Sequence, residues 1–258
     1  MPALRLAHRS KKFRLFFWPR HLLVLAPGYV SSLHRHHAAQ LAVAPVGELE
    51  YRRSDAPEWQ RASAFIVAPN VRHAHRSSGP TVMLYLDAES SEWRSRAPSW
   101  CADGAGPSWS PSSRVLAAAA AVHRSGSAAA ASDFCAAVFG EPGASWPAPD
   151  ARVVAAQRFI ATRLDRSLRL AEIAREVHLS PSRLTHVFRE GTGVPVRRYI
   201  QWCRLRAAVD AALRGRSLTE AAHEAGFADA AHLSRTFRAM FGISPSAFTQ
   251  DADVVTMD

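Results

Sequence analysis

The chain has 258 residues, 48% of them hydrophobic, and a formal net charge of +10. That length accommodates one large core or two ordinary ones and favours two, while the positive balance favours an anionic partner such as nucleic acid. The excess is spread evenly, 16 Lys+Arg against 11 Asp+Glu on either side of residue 150, so charge by itself does not locate a partner. Cys101, Cys135 and Cys203 are odd in number and far apart, with no CxxC spacing. This argues against a disulfide scaffold or a zinc knuckle and suits a reducing cytoplasm.

The first segment, "LRLAHRSKKFRLFFWPRHLLVLAPG", places basic residues before apolar ones, but Pro19, Arg20 and His21 cut the apolar run. It reads as folded chain rather than a signal peptide, and no uninterrupted stretch of about 18 apolar residues predicts a membrane span. Up to Asp87 the text is punctuated by Pro and Gly, with β-rich pieces "HLLVLAPG", "AQLAVAPVGELEYRR", "SAFIVAPNV" and "TVMLYLD". These predict strands of a sheet folded on itself over residues 1–110. An alanine-rich stretch follows over 111–140. It predicts two short helices broken at Gly126, with Leu116, Phe134, Val138 and Phe139 on an apolar face and a possible dimer surface; low-complexity disorder is the alternative. Residues 141–150, "EPGASWPAPD", read as a linker ending in Asp150, a helix cap.

From 151 to 250 the pattern is helical, and 251–258 reads as a tail. Val154, Phe159 and Leu164 share one apolar face; Leu170, Ile173, Ala174 and Val177 share the next. Ser180-Pro181 then opens a further helix with Ser as cap, so two short helices meet at a tight turn, the form of a helix-turn-helix. A second copy follows: Leu218, Ala221, Ala222 and Ala225 pack, Gly226 permits the turn and Phe227 tucks beneath the next helix. Leu184, Phe188, Arg189 and Gly193 recur 49 residues later as Leu233, Phe237, Arg238 and Gly242.

Helical phase turns Leu184, Val187 and Phe188 inward and leaves Ser182, Arg183, Thr185, His186 and Arg189 outward. In the second copy Leu233, Thr236 and Phe237 face in, and Ala231, His232, Ser234, Arg235 and Arg238 face out. The segment between the copies is long enough for roughly 30 Å of helix, close to the ~34 Å between successive major-groove faces on one side of B-DNA. Arg183, Arg189, Arg197, Arg198, Arg204, Arg206, Arg214, Arg216, Arg235 and Arg238 supply charge for phosphates. A helical bundle with solvated arginines is the plain alternative, but it requires no repeat.

Residues from about Val153 to Thr249 resemble the DNA-binding domain of the AraC/XylS family of bacterial transcription regulators, a seven-helix double helix-turn-helix. The text that carries the resemblance is "LAEIAREVHLSPSRLTHVFREGTGVPVRRYIQWCRLRAA" with "SLTEAAHEAGFADAAHLSRTFRAMFGISPSAF". It implies base readers at Ser182, Arg183, Thr185 and His186 in one recognition helix and Ala231, Ser234 and Arg235 in the other. Arg235 is expected to carry most hydrogen-bonded readout of its half-site. Arg189, Arg197, Arg198, Arg206 and Arg238 are expected on phosphates.

Before Asp150, "GYVSSLHRHHAAQLAVAPVG" places His34 and His36 on one side of a strand, followed by Gln40 and Gly47. The spacing is similar to the first metal-binding motif of cupins, with Gln40 where Glu is usual. "FIVAPNVRHAH" is similar to the second and offers His73 and His75. His37 is expected at the surface. A cupin-like β-barrel or jelly roll serving as a sensor is thus implied ahead of an all-α reader, an α+β two-domain chain. The His set is either a pocket wall or a site for a divalent transition metal, with no cofactor certain.

Three function classes follow. A ligand-responsive regulator, not an enzyme, explains both halves; its partners are promoter DNA, RNA polymerase if it activates, a small-molecule or metal effector and a possible second copy, with no membrane. A metal-dependent cupin enzyme or metal sensor using His34, His36 and His73 leaves the doubled helical unit unexplained. An architectural DNA-binding protein leaves the sensor without purpose.

Overall fold

The computed structural model describes residues 13–18, 20–101, 109–140, 150–245 and 252–257. The linker over 141–149 and the start of the N-terminal segment lie outside the described residues. Among the described residues, ten strands come from the two ends of the sequence: β1 (Phe13–Phe17), β2 (His21–Ala26), β3 (Tyr29–Val30), β4 (Ala39–Val43), β5 (Leu49–Arg53), β6 (Gln60–Ala62), β7 (Ala64–Val67), β8 (His73–Ser77), β9 (Thr81–Leu86) and β10 (Ala252–Thr256). They pair as a six-stranded sheet in the order β10-β1-β2-β9-β4-β7 and a four-stranded sheet in the order β3-β8-β5-β6. The N-terminal part is therefore a two-sheet β domain, and no pairing among the described residues closes it into a barrel.

Of the expected tail over 251–258, Ala252–Thr256 instead supplies an edge strand: β10 lies parallel to β1, with Leu15 opposite Val254. The reason is long-range pairing, which a local pattern cannot carry; the "DVV" text acquires its partner from the far end of the chain.

One face of the large sheet is covered by helices. α1 (Ser91–Arg94) and α2 (Ala97–Trp100) follow β9, and the alanine-rich stretch forms α3 (Ser113–Ser125) and α4 (Ala128–Phe139). Ser112 and Ser127 cap the last two, and Gly126 separates them at φ 56°. Val115, Val122, Phe134 and Val138 are buried together with Phe16, Leu23, Leu41 and Leu84 of the sheet. Ordered helices, not disorder, are the outcome there, because alanines in phase with those larger side chains let the helices lie close against the sheet.

The helical part comprises α5 (Ala151–Ala161), α6 (Leu170–Glu176), α7 (Pro181–Thr192), α8 (Val196–Leu213), α9 (Leu218–Glu224) and α10 (Ala230–Phe241). The region of a seventh helix, beyond Pro245, lies outside the described residues. Asp150 caps α5 by accepting from Arg152 N at 2.8 Å, and Ser217 with Glu220 forms a reciprocal capping box on α9. The two helix-turn-helix units differ in their cores. The first has its own, from Val153, Ile160, Ile173, Leu184 and Phe188. The second does not: Ala222, Phe227, Leu233, Phe237 and Met240 join Trp202 and Leu205 of α8 in a core continuous with Leu15, Phe65, Met83 and Tyr85 of the β domain. Leu170, expected to pack, is 37% exposed at the first turn of α6, where no neighbour covers it fully. Thr236 is only half-buried, and Met240 takes the inward place one turn on.

Candidate functional site

The second helices of both units, α7 and α10, have polar starts fixed by caps. Ser180 accepts from Arg183 N at 3.2 Å and Pro181 occupies the first turn of α7; Asp229 accepts from His232 N at 2.6 Å at the start of α10. That bond lowers the Asp229 pKa, so the cap remains ionised beside the helix N-terminus. The tight turns need left-handed residues, His178 at φ 53° in the first unit and Gly226 at φ 76° in the second. At 226 a side chain is also excluded by space, since a Cβ would lie 1.9 Å from Leu164 O.

Anchored by Leu184, Val187 and Phe188, α7 presents Ser182, Arg183, Thr185, His186 and Arg189 to solvent. Thr185 Oγ1 donates to Pro181 O at 2.9 Å, leaving its oxygen lone pairs outward, and His186 faces Glu190 at 3.8 Å. On α10, Ala231, Arg235 and Arg238 are exposed and Ser234 is half-exposed. Arg197 is exposed at the start of α8. Arg198 is half-buried, its pKa lowered first by burial and then by the charge of Arg35.

Several arginines assigned to phosphates have other work. Arg206 donates from Nη1 to Asp87 Oδ2 at 2.5 Å, and Trp202, one helical turn earlier, donates from Nε1 to Asp87 Oδ1 at 3.2 Å. Arg206 is therefore a domain-joining residue: it shares a face of α8 with Trp202 and Val209, and Asp87, just after β9, takes its guanidinium. Arg204 donates to Leu164 O at 3.1 Å and Arg166 O at 2.7 Å, so it ties α8 to the α5–α6 connection. Arg214 pairs with Asp210 and Arg216 with Glu224.

His37 is a further correction. It is 3% exposed, 2.7 Å from Glu89 and packed edge-on to Tyr199 and Trp202. With Asp87 it makes a polar seam between the β domain and α8, whose two carboxylates the sequence did not single out. Asp87 is pushed up to about 6 by burial, against the opposing pull of Arg206.

Beside this seam a narrow opening of about 40 Å³ lies between β1, β2 and β9 on one side and α8 and α10 on the other. Phe17, Leu22, Tyr85, Trp202, Leu205, Val209, Phe237 and Phe241 form its walls, and His21, Asp87 and Arg206 its polar end. Within the β domain, His34, His36 and His73 are buried, and one ring nitrogen of each lies within 4.8 Å of the others. Gln40 joins them, with Oε1 at 3.1 Å from His36 Nε2 and 2.9 Å from His73 Nε2. His75 is set apart, stacked on Tyr29 at 4.6 Å.

Residues 173–251 match the helix-turn-helix domain family. The chain is 30% identical over 96 residues to the Msm operon regulatory protein of Streptococcus mutans, covering 37% of this chain and 34% of that protein. It is 34% identical over 104 residues to the arabinose operon regulatory protein of Escherichia coli K12, covering 40% and 36%. The matched part thus spans about a third of the length of these curated relatives. Apo ToxT from Vibrio cholerae superposes over 91% of this chain and 98% of its own, with TM-score 0.63 and 12% identity; ToxT bound to an unsaturated fatty acid does so over 93% and 99%, with TM-score 0.56 and 12% identity. At such identity ToxT shares the two-domain fold. The C-terminal domain is an AraC-type helix-turn-helix domain, as the text from Leu170 to Phe248 implied.

Proposed function

We propose that the chain is a sequence-specific DNA-binding transcription regulator, not an enzyme, in which a cupin-like β domain controls the second helix-turn-helix unit. The observation that carries this reading is the shared core: Phe237 and Leu233 of α10 are buried with Tyr85 and Met83 of the β domain, so a change in the sheet reaches the recognition helix through direct packing. The names of the relatives, both operon regulatory proteins, support the DNA-binding half.

In this reading α7 and α10 enter successive turns of the major groove. Ser182, Arg183, Thr185 and His186 read one half-site, and Ala231, Ser234 and Arg235 the other, Arg235 as a two-pronged donor to guanine O6 and N7. Arg189, Arg197, Arg198 and Arg238 contact phosphates and set register without reading sequence. The exposed outer sides of α3 and α4 suit a second copy of the chain, RNA polymerase joins when the regulator activates, and the cytoplasm is the compartment.

The effector site is the interdomain opening. Its walls are apolar and its polar end carries Arg206, which suits an apolar molecule with one carboxylate, and ToxT of the same fold binds an unsaturated fatty acid. A carboxylate there competes with Asp87 for Arg206 and loosens the seam to α8. The test is selection of a binding sequence from random duplexes, followed by titration with and without an unsaturated fatty acid. A defined sequence whose affinity changes with the acid supports the reading; binding indifferent to sequence refutes its DNA half, and affinity indifferent to the acid refutes the effector.

A further inference from the structure

His34, His36, His73 and Gln40 play no part in the regulatory chemistry above. The chain between β3 and β4 supplies the first two, β8 the third and β4 the amide. A backbone exchange sets them together: His34 N donates to His73 O and His73 N to His34 O, both at 2.9 Å. All four side chains are buried, at 2% exposure or less.

Each ring directs Nδ1 at a backbone carbonyl: His34 at Ser32 O, 2.7 Å; His36 at Ala38 O, 2.7 Å; His73 at Val71 O, 3.0 Å. A carbonyl only accepts, so Nδ1 carries the ring hydrogen in all three, and burial keeps the rings neutral. Each Nε2 is thereby left as a lone pair. Two of them face Gln40 Oε1, and His34 Nε2 has no partner. Turning the Gln40 amide supplies hydrogens to His36 and His73 but still leaves His34 Nε2 without one. A buried group of acceptors lacking donors is costly by itself and is satisfied by a cation. Carbonyls that hold the far ring nitrogen are also the usual outer support of a metal-binding imidazole.

The same support reaches the DNA-binding domain. Ser32, whose carbonyl holds His34, donates from both N and Oγ to Gly242 O, at 3.3 and 3.2 Å. Gly242 ends α10 in a left-handed turn, φ 73°, and a Cβ there would lie 2.8 Å from Ser32 O and 2.9 Å from His34 Nδ1. Tyr29 OH donates to Phe241 O at 2.9 Å in the same place.

We propose that His34, His36 and His73, with Gln40 as an oxygen donor, bind one divalent first-row transition ion, and that this ion is linked through Ser32 and Gly242 to the end of the second recognition helix. The DNA-binding role of α10 rests on the reading above; the ion site and its link to the helix do not. By reciprocity, an ion that fixes His34 fixes the helix end, and a change at the helix end alters ion affinity.

The experiment is Zn²⁺ binding to the full chain by equilibrium dialysis with mass-spectrometric metal analysis, which uses no DNA. One equivalent per chain is expected, lost in His36→Asn and in His73→Asn. Gln40→Glu, which adds a carboxylate ligand, is expected to bind at least about tenfold tighter and keeps the site testable should the His variants fail to fold. Gly242→Ala, which removes no ligand, is expected to weaken Zn²⁺ by roughly 10- to 100-fold, the effect of disturbing an outer support. No binding by folded wild type and Gln40→Glu, or stoichiometry that survives the His substitutions, overturns the site. Unchanged affinity in Gly242→Ala overturns the link.

Discussion

Arg235 and Arg206 show how the same residue type is left exposed or engaged according to what covers it. Arg235 is exposed on α10, and Arg235→Ala is predicted to weaken specific binding by about 1–3 kcal/mol with discrimination lost at one or two base pairs. Equal weakening on every sequence would refute its reading role. Arg189→Ala, by contrast, is predicted to weaken specific and random DNA alike and to reduce the slope of log K against log salt by about one. Arg206→Ala is predicted to leave that slope unchanged and to lower stability by about 1.5–3 kcal/mol, the loss of charge-assisted bonding to Asp87; a reduced slope would return Arg206 to the phosphates. His21, at the polar end of the opening, gives a pH signature. Burial lowers it from 6.5 to about 4, opposed by Glu92 and reinforced by Arg206. A depressed pKa means the neutral ring is the folded form. Its contribution is complete above about pH 6.5 and lost as pH falls toward about 4, because the unfolded chain takes up the proton first. His21→Phe should flatten the fall of melting temperature across that window, and an identical profile would contradict the assignment.

At the scale of elements, what was legible is what local chemistry controls. The caps Asp150 and Ser180 and the inward sets Leu184–Val187–Phe188 and Leu233–Phe237 stand where their pattern puts them. The repeat was also legible, with one refinement: α6 and α9 start 48 residues apart, at Leu170 and Leu218, whereas α7 and α10 start 49 apart, at Pro181 and Ala230. The second turn is thus one residue longer. Gly226 serves it, and Gly226→Ala is predicted to cost about 2–4 kcal/mol from strain at positive φ and contact with Leu164 O; a melting temperature equal to wild type would contradict this. Pairing across the chain was not legible. β10 has only two adjacent valines to mark it, and its partner β1 lies at the other end of the sequence. His37 was misplaced for a similar reason, because no local pattern reveals that Tyr199 and Trp202 of α8 cover it.

For the whole molecule, the asymmetry between the two units is the central feature. The first helix-turn-helix carries its own core, and the second completes one with the β domain. In the proposed reading, signals from the interdomain opening or the His cluster would act on α10 before α7, and the half-site assigned to Arg235 would be the regulated one. The repeat made the two units legible in the sequence; which one shares a core with the β domain became visible only from packing.

The most direct measurement is hydroxyl-radical footprinting on a duplex selected from random sequence, with wild type and Arg235→Ala side by side. Two protected patches on one face of the helix, about 10 base pairs apart, with only one of them weakened by Arg235→Ala, are the predicted result. A single patch, or uniform protection independent of sequence, would contradict the account of one chain reading two successive turns of the groove.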